Sequence, residues 1–449
     1  MTTMNAVGFV PGRTSGGIAQ LNEFACSSSI VMIDDPNLEA ILRLGVNRPA
    51  GAVLIAGARF SHLSIYLCSL NLPTVIVSPS DFALLRDHER VLLDGFTGQL
   101  VVDPDAETIR EWQESSRLVD ASSVVQPSES AYTQDGVRVT VAASVSGVNA
   151  AKAKQFGADE VGLLRSEFLF GAGSDPTNFD QHRAALAEVC DSASPLLVKI
   201  RLFDLGAEKL FSWTPRIIDA EKTLGVRGAR MYRYDEFRSI LRCQLHSIAA
   251  LTPTHKVAII VPFVTTSDEF RVARAMIQDT MARADISIGA MIEIPSLCLS
   301  LPELVGAADF VALGTNDLMQ CFYAADRGLR TVASYLEPYT PALLRFLSVV
   351  QANARDGGIP VQICGQLSLY PYMAPLLIGL GYRSFSVEPY VIPHLKTLIR
   401  SLDTVSAGDV AEKAQKCRGT EHLKEYLLKA LGPSSQSGSP VGERQVSPV

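Results

Sequence analysis

No two of the eight cysteines stand close together in the chain (Cys26, Cys68, Cys190, Cys243, Cys298, Cys321, Cys364 and Cys417). That excludes a zinc ribbon or a paired redox motif and, in a chain this large, points to reduced thiols. Runs of lysine and arginine are also missing, and the formal net charge is -7. No surface is therefore built for the phosphate backbone of nucleic acid, and any anionic ligand must be met by local arginines. No apolar run approaches the ~20 residues a membrane helix needs, and Met1 to Gly8 carry no positive segment ahead of an apolar one. The expectation is a cytoplasmic protein that engages neither nucleic acid nor membrane. With 47% hydrophobic and 19% charged residues, the chain has the apolar material for a large core.

What is present is a repeating pattern. From Val137 onward, apolar runs of strand length alternate with helix-length stretches: Val137 to Ala142, Glu160 to Leu164, Leu196 to Leu202, Val257 to Phe263, Gly289 to Glu293, Phe310 to Leu313, Val361 to Cys364 and Ser384 to Val387. About eight buried strands, each followed by a helix, predict an α/β fold with a closed (β/α)8 TIM-type barrel, which absorbs about 250 residues. In the 449-residue chain this leaves room for one smaller domain ahead of it.

Several of these runs end in charged or reactive side chains. Arg165 follows Gly162-Leu163-Leu164, Arg201 closes Lys199-Ile200 with Lys209 downstream, and Arg227 follows Leu224-Gly225-Val226. Glu293 follows Met291-Ile292, Gly314-Thr315-Asn316-Asp317 follows Phe310 to Leu313 with Arg327 beyond, and Cys364-Gly365-Gln366 ends another run. Singly, the arginines read as surface ion pairs, Glu293 and Asp317 as helix-start residues, and Cys364 as a small buried hydrophobe. Jointly they describe one mouth, because the carboxyl ends of barrel strands converge on a single opening. Cations, two carboxylates and a thiol there suit a small, highly anionic substrate. Arginines would grip phosphate and carboxylate oxygens bidentately, and Glu293 and Asp317 would hold a divalent metal.

The amino-terminal third reads as a small α/β unit over residues 1–105. Strand-like Ser29 to Ile33 and Gly51 to Ala56 bracket a helical segment, Asn37 to Leu44, and Leu72 to Val77 gives a further strand. Between the last two strands lies Gly57 to Leu67, a glycine turn leading into a helix that carries His62 in its first turn. Free N–H groups and the helix dipole there favour a phosphoryl group, which a neutral imidazole can accept as a nucleophile. A partly exposed histidine near a cap is the other reading. Gly95 to Val102 is expected to close a hairpin, residues 106–135 form a linker and residues 136–430 the barrel; Ser-, Gly- and Pro-rich residues 431–449 are expected to be disordered.

On Gly162 to Phe170, Gly314 to Arg327, Cys364 to Gln366 and the Ser61-His62 segment, the chain resembles enzyme I of the bacterial phosphoenolpyruvate-dependent sugar phosphotransferase system. More broadly it is similar to the phosphoenolpyruvate-utilising enzymes, which include pyruvate phosphate dikinase. The resemblance runs from residue 7 to about residue 430. It implies a swivelling phosphohistidine domain ahead of a phosphoenolpyruvate-binding barrel. By resemblance His62 is the phosphoryl acceptor and Cys364 the proton donor to the enolate. Arg165, Arg201, Asn316, Asp317 and Arg327 surround phosphoenolpyruvate, with Arg227 and Lys209 on further basic positions, and Glu293 and Asp317 ligate Mg2+. A homodimer formed through the barrel is implied as well.

Departures from the family pattern are specific. Phe60 and Leu63 stand where small hydroxyl residues are usual, Gln366 where an acidic residue is, and Leu369 and Tyr370 where glycine and aspartate are. The connection from Gly17 to Ser29 is too short for the helical domain that docks the phosphocarrier protein, and no glycine-rich ATP-grasp region is found. The expected activity is transfer of the phosphoryl group from phosphoenolpyruvate to His62 with release of pyruvate, then to an unidentified phosphocarrier protein or small molecule. A lyase or mutase-like barrel enzyme acting on an oxo acid, and a non-catalytic phosphoenolpyruvate sensor, are the alternatives.

Overall fold

Two sheets organise the chain. The computed structural model describes residues 2–10, 12–20, 27–34, 49–55, 72–86, 89–95, 98–112, 129–147, 150–170, 175–205, 224–281, 284–327 and 329–431.

The first sheet is built from β1 (Thr2–Asn5), β2 (Val7–Val10), β3 (Arg13–Gln20), β4 (Ser29–Ile33), β5 (Gly51–Ile55), β6 (Thr74–Val77), β7 (Arg90–Asp94) and β8 (Gln99–Val102). Their order is β1-β8-β7-β3-β4-β5-β6-β2. The central run from β3 to β6 is parallel and the flanks are antiparallel. β4, β5 and β6 are almost wholly buried, as expected of parallel strands covered on both faces. Helix α1 (Pro79–Leu85) starts where the Ser78 hydroxyl accepts from the Asp81 amide and Pro79 supplies a preset first turn, and it buries Phe82 and Leu85 against the sheet. β7 and β8 form the expected hairpin, though its strands are Arg90–Asp94 and Gln99–Val102 rather than one run from Gly95. The predicted helix Asn37 to Leu44 and the segment carrying His62 lie outside the described residues.

The second sheet closes on itself. Its strands are β10 (Arg138–Val145), β11 (Val161–Arg165), β12 (Val198–Arg201), β13 (Val257–Val261), β14 (Ser287–Ile292), β15 (Val311–Gly314), β16 (Val361–Cys364) and β17 (Ser384–Val387). Each pairs in parallel with the next, and β10 pairs with both β11 and β17, so the eight strands form the expected closed barrel. Within the stretch read as linker, β9 (Ala131–Tyr132) folds back antiparallel on β10.

Among the helices outside the barrel are α2 (Ala150–Gln155), α3 (Phe179–Ala193), α4 (Asp235–Leu251), α5 (Ser267–Thr280), α6 (Pro295–Leu299), α7 (Thr315–Tyr323), α8 (Pro341–Asp356), α9 (Met373–Gly379) and α10 (Ile392–Arg400). Outward-facing strand residues and helix residues form the main core, while Leu163, Ala258, Ile260, Met291, Phe310, Ala312 and Cys364 form a smaller cluster of their own. No described helix is long and apolar enough to cross a membrane.

Candidate active site

The carboxyl ends of β11, β12, β14, β15 and β16 open on one cleft. Arg165, Arg201 and Arg327 line it as cations, Glu293 and Asp317 as carboxylates, and Asn316 and Cys364 complete its polar wall. Leu163, Met291, Gly314 and Gly365 supply the rest.

Each polar group is held from behind. Arg165 ends β11 and reaches Glu388, beyond β17, at 3.4 Å. Burial pushes the Glu388 carboxyl up, against the pull of Arg165. Arg201 ends β12 and is clamped between Glu167, with which it makes a short ion pair, and Asp204 at 3.3 Å. The Ser166 hydroxyl donates to the Arg201 carbonyl at 2.6 Å and accepts from Gln244 Nε2 at 2.8 Å, which locks the β11 and β12 ends together. Asp317 sits in the first turn of α7, with Oδ1 on Arg227 at 3.1 Å and Oδ2 on Arg327 at 3.4 Å.

The β16 turn fits against the α7 start. Gly365 has φ +98°, and a β-carbon there would fall 2.6 Å from Thr315 Oγ1 and 2.8 Å from Asn316 Oδ1. Only glycine meets both demands. The Gln366 amide then donates to Asn316 Oδ1 at 2.9 Å, which leaves the Asn316 amide nitrogen for the cleft.

Glu293 is the unusual group. It is buried, its Oε2 accepts from the Phe263 amide at 3.1 Å, and among the described residues it has no ion-pair partner. Burial, then the nearby Asp317 and Asp204 carboxylates, raise its pKa to about 8. A buried carboxyl held against further negative charge is the arrangement a divalent cation relieves. The donor chemistry therefore fits Mg2+ held by Glu293 and Asp317. Among the described residues no third His, Cys, Asp or Glu joins them, so substrate and water would fill the shell, as Mg2+ sites commonly allow.

Arg227 does not line the cleft. Its guanidinium is 1% exposed, paired bidentately with Asp204 at 3.0 and 2.6 Å and stacked 4.3 Å from the Phe263 ring centroid. It braces Asp317 from behind. His62 and Lys209, like Phe60 and Leu63, lie outside the described residues. Asp204, Glu167 and Glu388 were not singled out from sequence. For the first two a signal existed, an acid two or three residues past a strand-end arginine; for Glu388, 223 residues from Arg165, none did.

A closed barrel with arginines, carboxylates and a thiol at one mouth defines a β/α-barrel site for a small polyanion. Comparison with known proteins names the class. The family described as PEP-utilising enzyme, PEP-binding domain, matches residues 121–404, more than half of the chain. The protein belongs to the phosphoenolpyruvate-utilising enzymes and is enzyme I-like. It is similar to the phosphoenolpyruvate-protein phosphotransferase of Staphylococcus carnosus, with 30% identity over 92% of this chain and 74% of that protein. It is also similar to the phosphoenolpyruvate-protein phosphotransferase of Haloferax volcanii, 29% identical over 89% of this chain and 72% of that one. A Salmonella typhimurium protein named phosphoenolpyruvate-dependent phosphotransferase system is 31% identical over 89% of this chain and 54% of its own length.

Proposed function

We propose that the protein transfers the phosphoryl group of phosphoenolpyruvate to its own His62, releases pyruvate, and passes the group to a phosphocarrier protein or small molecule. The observation that carries this reading is the convergence of Arg165, Arg201, Arg327 and Asn316 with Glu293, Asp317 and Cys364 on one cleft. Arginines around a phosphoenolpyruvate phosphate neutralise its equatorial oxygens, and little else is needed for a loose phosphoryl-transfer transition state. In this reading Arg201 and Arg165 reach the phosphate and carboxylate oxygens, Asn316 donates its amide to the substrate, and Arg327 closes the anionic end. Glu293 and Asp317 would hold Mg2+, which when bound would supply positive charge to offset the negative charge that develops as the phosphoryl group leaves. As the phosphorus–oxygen bond breaks, its electron pair leaves with the enolate oxygen and the phosphorus bonds to a ring nitrogen of His62. Cys364 then gives its proton to the enolate carbon, forming the pyruvate methyl group.

Residues 1–105 act in this scheme as the swivelling phosphohistidine unit, 106–135 as its linker and 136–430 as the donor barrel, in a homodimer in the cytoplasm. The test is incubation with phosphate-labelled phosphoenolpyruvate and Mg2+. The protein should acquire acid-labile label, and His62→Ala should acquire none. Pyruvate release that survives His62→Ala would favour a lyase or mutase-like enzyme. Tight binding with neither label nor pyruvate would favour a sensor.

A further inference from the structure

Below the cleft, the barrel interior holds a polar column where branched apolar side chains usually fill the layers. Gln362 of β16 is 3% exposed, and its amide oxygen and both amide hydrogens are engaged inside the barrel. Its Oε1 accepts from Lys199 Nζ of β12 at 2.8 Å. Lys199 in turn pairs with Glu160, just ahead of β11, at 2.5 Å. Because the ammonium can only donate, the amide oxygen must face it, and both amide hydrogens are turned the other way. One goes to the Gly162 carbonyl at 2.9 Å and the other to Cys364 Sγ at 3.2 Å. Gly162 makes room for this. A β-carbon there would fall 2.6 Å from Gln362 Nε2 and 2.8 Å from Ser386 Oγ.

Burying a glutamine, and half-burying the lysine and glutamate behind it, costs free energy that apolar residues of the same volume would not. The column's groups pair with one another, and its upper end is a hydrogen-bond donor aimed at one sulfur atom. We propose that Gln362, braced by Lys199 and Glu160, is a positioning residue for the Cys364 thiol, directing it to the cleft and donating to sulfur as its proton leaves. This rests on the reading of Cys364 as the proton donor to the enolate.

The thiol is fully buried, which by itself opposes formation of the thiolate; the Gln362 donor and the Lys199 and Arg165 charges work the other way, and Glu293 works with burial. The step balances simply. The S–H proton bonds to the enolate carbon, the electron pair stays on sulfur, the Gln362 N–H stabilises that pair, and solvent later returns a proton. An amide does not hand on protons without tautomerising, so the column holds and polarises rather than conducts.

The reverse half-reaction isolates this step from phosphoryl transfer. With pyruvate and Mg2+ in deuterated water, thiolate removes a methyl proton and solvent deuterium replaces it, which proton NMR follows as a function of pH. Exchange should vanish in Cys364→Ala. In Gln362→Met its rising limb should move up by about one pH unit, with the KM for pyruvate within about threefold of wild type. Lys199→Met, which leaves the amide beside the thiol but untethers it, should move the limb in the same direction by less. Profiles for both variants that superimpose on wild type, or that fall by one factor at every pH, would overturn the inference. Exchange that persists in Cys364→Ala would instead remove the proton-donor reading, and the inference with it.

Discussion

Gly314→Ala tests the metal assignment without touching a ligand. A β-carbon at Gly314 would stand 2.6 Å from both Cγ and Oε1 of Glu293 and 2.9 Å from its Cδ. The Gly314 backbone has φ -80°, which alanine adopts freely, so the whole effect is steric. Carbon atoms rest ~3.5–4.0 Å apart, so the Glu293 side chain must retreat by about 1 Å. Crowding of this kind costs ~1–3 kcal/mol of stability. The functional loss should be larger, because a misplacement of about 1 Å at a reacting centre costs ~100-fold in rate. The assay is pyruvate release from phosphoenolpyruvate across a Mg2+ titration, with a thermal melt alongside. A fold that melts a few degrees lower, needs roughly tenfold more Mg2+ and turns over about 100-fold more slowly is expected. Wild-type Mg2+ dependence in Gly314→Ala would refute the placement of Mg2+ on Glu293.

Two further perturbations read the scaffold. His182 on α3 is fully buried, donates through Nε2 to the Pro176 carbonyl at 2.6 Å, and lies 4.2 Å from the Phe170 ring. Burial depresses its pKa to about 4, so between about pH 6.5 and 4 the unfolded chain binds a proton the folded one refuses. Stability is therefore lost as pH falls through that window, by an amount of order 3 kcal/mol. His182→Leu should cost more at pH 7.5 than at pH 5 in thermal melts; an equal cost at both would sink the assignment. Arg227→Met strips the bidentate partner from Asp204, which is wholly buried, and one partner from Asp317. A loss of roughly 3–5 kcal/mol is expected, partly recovered by adding Asp204→Leu, and denaturation of the single and double variants measures it. No recovery in the double variant would show that the pair is not the source of the loss.

The barrel was legible because parallel strands covered on both faces are continuous apolar runs, and each of the eight runs marked a strand to within a few residues. β4, β5 and β6 were legible for the same reason. β1, β2 and β3 were not: Arg13–Gln20 reads Arg-Thr-Ser-Gly-Gly-Ile-Ala-Gln, a half-exposed strand with little apolar signal. At the site, strand-end charge is local and can be read, so Arg165, Arg201, Glu293, Asn316, Asp317, Arg327 and Cys364 could be foreseen to share a mouth. Which charge faces which is not local. Arg227 looked like one more cation for the substrate, yet Asp204 and Asp317, 23 and 90 residues away, draw it behind the wall. Gln362 and Lys199 were hidden by the rule that made the strands visible, since each interrupts an apolar run by a single residue.

Rapid mixing of the protein with a small excess of phosphoenolpyruvate and Mg2+, quenched and split for pyruvate and for protein-bound phosphate, tests the phosphoryl-transfer chemistry most directly. A burst of one pyruvate per chain, matched by one acid-labile phosphate that maps to His62, is the expected result. Pyruvate that accumulates with free inorganic phosphate and leaves the protein unmodified would contradict it.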